Sequence, residues 1–67
     1  MIMNLIEELQ SEMNRVREII TEYEAIPGGQ FAASFMRRDV DAAENAIATG
    51  DTIWMMRALV ALREYTL

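Results

Sequence analysis

The residues best equipped for chemistry gather around one interruption in an otherwise helix-forming chain, Ile26-Pro27-Gly28-Gly29-Gln30-Phe31. Gly28, Gly29 and Gln30 open a helix, so their backbone amides are expected to point outward unpaired, where the helix dipole favours an anion. Phe31 adds an apolar or stacking surface. Counting outward from a second turn, Gly50-Asp51, in an antiparallel hairpin places Arg37 and Arg38 level with Arg63, toward the same end as the glycines, with Tyr65 there too. Guanidinium groups hold phosphate by paired hydrogen bonds and stack on aromatic rings. Gly28, Gly29, Gln30, Phe31, Arg37, Arg38 and Arg63 thus make a candidate ligand-binding corner for a nucleotide-like anion. The competing reading is structural. In it the Pro-Gly-Gly turn only joins two helices, Arg37 pairs with Asp41 four residues on, and arginines relieve Glu22 and Glu24 at the negative end of the preceding helix.

Other chemistry is poorly served. The chain has no Cys and no His, which removes disulfides, thiolate and imidazole metal ligands, and the usual general base. Ser11, Ser34 and the threonines therefore have nothing to activate them. Glu18 with Glu22, and Asp41 with Glu44, are spaced to share helix faces and can be written as acid–base pairs or as hard-cation ligands across an oligomer interface. Acids on the outer faces of amphipathic helices are more simply solvated surface, and the Glu-x-x-His signature of helical di-iron sites is absent. The expectation is a non-enzymatic protein with no catalytic residue, no metal and no cofactor.

Three helices position these groups. In the first segment Ile2, Ile6, Leu9, Met13, Val16, Ile20 and Tyr23 recur at spacings of four and three, a heptad seam. Leu5, Ile19 and Ile26 widen it on one flank, and Glu7, Glu8, Ser11, Asn14, Arg15, Glu18 and Glu22 take the opposite face. A helix over about 3–25 follows, roughly 34 Å long. Pro27 disfavours helical geometry at Ile26, and the glycines allow a sharp turn. A second helix over about 30–49 is expected to bury Phe31, Ala32, Phe35, Met36, Val40, Ala43 and Ile47 and to expose Arg37, Arg38, Asp41, Glu44 and Asn45. Ala42, Ala43, Ala46 and Ala48 permit close approach of another helix. Gly50 suits a left-handed residue just past a helix end and Asp51 an N-cap, so a tight turn leads to a third helix over about 52–65. That helix carries apolar rows at Trp54, Ala58, Ala61 and Tyr65, at Met55, Leu59 and Leu62, and at Ile53, Met56 and Val60.

A helix apolar around most of its girth must be buried on most sides, and two partners in one short chain cannot do that. With 67 residues the chain buries only about 60% of its unfolded surface, a marginal core. The predicted architecture is all-α, a long N-terminal helix followed by an antiparallel hairpin, one domain over 1–67, assembled as a homo-oligomeric bundle through the last helix. Formal net charge is −5 and every basic residue is Arg. That balance argues against non-specific binding to nucleic acid or an anionic membrane. No apolar run approaches the roughly 20 residues of a membrane span, and residues 1–4 show no secretion signal, so a cytoplasmic location is expected.

The order Ile26-Pro27-Gly28-Gly29-x-Phe31, Met36, Ala43-Glu44-x-x-Ile47, Gly50-Asp51 and Met55-Met56-x-Ala58 resembles small helical proteins encoded by bacteriophages and prophages, over roughly the C-terminal two-thirds of the chain. Some such proteins inhibit bacterial defence by blocking a host protein or by sequestering a nucleotide signal. The resemblance implies a phage-derived inhibitor or regulator, most concretely one that sequesters an anionic nucleotide-type signal. The alternative is an inhibitor or adaptor that docks a host protein through its acidic or apolar helix faces. No catalytic motif comes with it.

Overall fold

Three local signals in the sequence set the helix boundaries. Asn4 is extended and accepts a hydrogen bond from the Glu7 amide at 2.8 Å, starting α1, Leu5–Glu24. Glu7 and Glu8 follow in its first turn, where negative charge suits the dipole. At the far end the Ala25 and Ile26 amides bond back to carbonyls of the last turn, and the chain swings through Gly28 at φ +83° into α2, Gln30–Thr49. Gly50 at φ +70° closes α2 with its amide on the Ala46 and Ile47 carbonyls, and Asp51 caps the Trp54 amide at 3.1 Å to begin α3, Thr52–Arg63. These are the elements of the computed structural model, which describes residues 4–66. The expected boundaries differ by a turn or less, and Met3 of the expected first helix and Ile2 of the expected seam lie outside the described residues.

The helices pack pairwise, all three against each other. α1 and α2 are antiparallel, as the ion pairs Arg17–Glu44 and Arg37–Glu24 show by rising along one helix while falling along the other. α3 doubles back along α2, with Trp54 beside Ala42, Asn45, Ala46 and Thr49, and the Tyr65 hydroxyl bonded to Asp39. Its end lies along the middle of α1, where Arg15 reaches the Leu62 carbonyl.

One core joins the three. Leu9, Met13, Val16, Ile19 and Ile20 come from α1, Ala33, Met36, Val40, Ala43 and Ala46 from α2, and Met55, Ala58, Leu59 and Leu62 from α3. The α1 seam is as the spacing predicts from Leu9 to Ile20, with Tyr23 half-buried. Ile6 of the seam and Ile26 of its widened flank are exposed instead. On α2 the buried stripe runs through Ala33 rather than Phe31, and this is a correction. Phe31 and Phe35 face outward, Phe31 at 75% exposure. The alanines at 33, 43 and 46 draw the neighbouring helices close, and that close approach takes the small residues inside while leaving the two rings no room. On α3 the row Ile53, Met56, Val60 is bare at 65%, 56% and 61%, and Trp54 is exposed beside it. No helix among the described residues is long and apolar enough to cross a membrane.

Candidate functional site

The glycine turn owes its shape to contact between backbones. A Cβ on Gly29 would lie 1.9 Å from the Tyr23 carbonyl oxygen, so only glycine fits, and Gly29 donates its amide to the Ile26 carbonyl at 2.9 Å. The expectation that this amide is free for a ligand is therefore corrected. The turn needs it to close onto the end of α1. Gly29 makes no side-chain cap for α2, and no acid stands in the first turn of α2. Gly28 is held by its positive φ and has open space around it.

Beyond the turn, the outer edge of α2 carries Phe31, Phe35 and Arg38. The two rings meet edge to face with centroids 5.1 Å apart, and the Arg38 guanidinium stands 5.1 Å over the Phe35 ring. Arg38 donates from Nε to the adjacent Asp39 at 3.3 Å, and its side chain is two-thirds exposed. The other Asp39 oxygen accepts the Tyr65 hydroxyl from the end of α3. Burial pushes the Tyr65 phenol up to about 12, with the Asp39 hydrogen bond and negative charge adding to it and Arg38 pulling the other way.

The other arginines are placed differently. Arg37 pairs with Glu24 in the last turn of α1, the relief of that helix end which the structural reading anticipated, and not with Asp41. Arg63 pairs with Glu8 at 3.3 Å. Glu8 and Glu24 are separated by about 24 Å of helix axis, so Arg63 is anchored far from Arg37. The expectation of one cluster is corrected here: Arg63, the last residue of α3, turns to Glu8 of α1, whereas Tyr65 lies past the cap at Glu64, where the chain has left the helix, and turns to Asp39 of α2. The structure brings Phe31 and Arg38 together with Phe35, which the sequence reading had placed inside. Gln30 is exposed at the start of the same helix.

A shallow groove of about 370 Å³ runs between α1 and α2 over Ile20 and Val40, edged by Arg17, Arg37, Glu24 and Glu44. Its arginines are spent on its own carboxylates, which makes it an ion-paired seam between helices. Among the described residues no group of three or more acidic side chains is arranged to hold a metal ion.

Sequence reasoning missed Arg15. Assigned to the outer face of α1, it is half-buried and donates to the Tyr65 carbonyl at 2.7 Å, the Leu62 carbonyl at 2.8 Å and Glu12 at 2.8 Å. It thereby caps the end of α3. A signal existed, because Leu5, Glu8, Glu12, Arg15 and Ile19 form a second heptad row, and this is the row that faces α3. Searches against protein-family models, curated proteins and solved structures find no match for this chain.

Proposed function

We propose that this chain is a non-enzymatic binding protein that works as a homo-oligomer and docks a host protein, as an inhibitor or adaptor of the kind found among the small helical phage and prophage proteins that residues 26–58 resemble. The observation that carries the reading is the bare apolar surface. Ile53, Met56 and Val60 form an uncovered stripe on α3, and the Phe31 and Phe35 rings a second patch in the first turns of α2, with Ile26 exposed in the turn before them. A chain with so small a core leaves such side chains in water at a cost, and large exposed apolar patches mark interaction surfaces. The arginines favour the same reading, since Arg17, Arg37 and Arg63 are engaged with carboxylates of other helices.

A second reading, sequestration of an anionic nucleotide-type signal, is favoured by one feature. Arg38 over Phe35, with Phe31 open beside it, combines a cation with stacking surface at one corner. The two readings separate in one pair of measurements. Affinity capture from a bacterial lysate is expected to recover one stoichiometric, identifiable protein, with capture lost in Phe31→Ala and retained in Arg38→Gln. Calorimetry against cyclic and linear nucleotides is expected to show no heat. Heat that disappears in Arg38→Gln would replace the first reading with the second.

A further inference from the structure

We infer that the groove between α2 and α3 beside the Gly50 turn binds an organic cation, a primary ammonium group carried on an alkyl chain. The inference does not depend on the protein docking proposed above. The groove holds about 460 Å³ and is lined by Ala42, Asn45, Ala46 and Thr49 from α2 and by Asp51 and Trp54 from the start of α3.

Three features there attract positive charge. The carbonyl end of α2 is the negative pole of its dipole, and its last turn holds no basic residue. Asp51 spends Oδ1 on the Trp54 amide, which answers the positive start of α3, and keeps Oδ2. Trp54 is more than half exposed and stands between this groove and a smaller hollow of about 120 Å³. Arg57, 5.0 Å over the indole, lines the smaller hollow and not the groove, so the groove side of the ring is open to a second cation. An aromatic ring beside a carboxylate holds an ammonium group by its quadrupole and by a charged hydrogen bond. The chain brings no cation of its own to this place. It has no Lys, and its other five arginines pair with carboxylates away from Asp51.

The lining also specifies the rest of the ligand. Ala46 and Ala42 continue the groove one and two turns back from Gly50, an apolar surface suited to an alkyl chain. A bare metal ion fits less well, since no group of three or more acidic side chains is arranged to hold one among the described residues. The net charge of −5 draws cations toward the surface as a whole.

Trp54 is the single tryptophan, so its fluorescence reads the site directly. At neutral pH and constant ionic strength, butylammonium is expected to change the Trp54 emission saturably, and 1-butanol, similar in shape but uncharged, to bind at least about tenfold more weakly. Asparagine caps a helix as well as aspartate, so Asp51→Asn removes the charge and keeps the cap. This variant is expected to retain its helical circular dichroism and to bind butylammonium at least about tenfold more weakly. Nα-acetyl-lysine amide separates the two sources of such a group. Binding as tight as that of butylammonium assigns the site to a lysine side chain of another protein, and weaker binding assigns it to a free amine. Equal binding of butanol and butylammonium, or an Asp51→Asn protein that binds butylammonium as the unaltered chain does, would overturn the inference. So would the lack of any saturable change in Trp54 emission together with unmoved amide resonances of Asn45 and Thr49.

Discussion

Arg15 and Tyr65 show how single side chains hold the last helix in place. The final carbonyls of a helix lack partners within it, and Arg15 offers a planar fork of donors from a different helix. Arg15→Ala is expected to destabilise the fold by about 1–2 kcal/mol in urea unfolding, the scale of charged hydrogen bonds discounted for partial exposure. Arg15→Lys should recover only part of it, because one ammonium cannot span both carbonyls. Tyr65 gives a pH signature. Its folded pKa lies above the usual 10, so the folded chain holds this proton more tightly than the unfolded chain does. Its contribution is therefore complete below pH 10 and is lost as pH rises toward about 12. In a Tyr23→Phe background, leaving Tyr65 as the one phenol, tyrosinate absorbance should rise near the upper of these values. Unfolding should return it to the lower. Tyr65→Phe should flatten the fall in stability across that window.

At the scale of elements, the two turns obey different constraints. Gly50 is required by its positive φ alone, since a Cβ there meets nothing. Gly29 has a negative φ and is required by contact with the Tyr23 carbonyl. Gly29→Ala is accordingly expected to cost more than about 2 kcal/mol, as overpacking against rigid backbone does. Gly28→Ala, strained only in its backbone angle, should cost about 1 kcal/mol. Thermal unfolding of the two variants in parallel checks the order. The turns themselves were legible, because Pro-Gly-Gly and Gly-Asp stop and restart helices wherever they occur. Which glycine bears the contact was not legible, since it depends on how the chain returns against the end of α1. The proposed arginine cluster fell short for a similar reason. Counting residues along a hairpin gives a level, whereas the direction a side chain takes at that level depends on the third helix.

In the whole molecule the small residues decide how close the helices come. Ala43 is fully buried where the helices meet, whereas Ala42 lies one residue away on the surface. Ala43→Leu is expected to cost about 1–3 kcal/mol by overpacking, and Ala42→Leu no more than about 0.5 kcal/mol, measured by chemical denaturation. The sequence by itself determined three helices, their two turns, the seam of α1 from Leu9 to Ile20 and the lack of histidine or cysteine chemistry, because periodicity, glycine and proline act locally. It also indicated that α3 carries more apolar surface than one chain can cover. Only the tertiary structure decided which part stays bare. Packing three helices around small alanines turns Phe31, Phe35, Ile53, Met56 and Val60 outward, draws Arg15 in, and parts Arg63 from Arg37. Those outcomes follow from the angle at which each helix meets its two neighbours, and no stretch of sequence contains that angle alone.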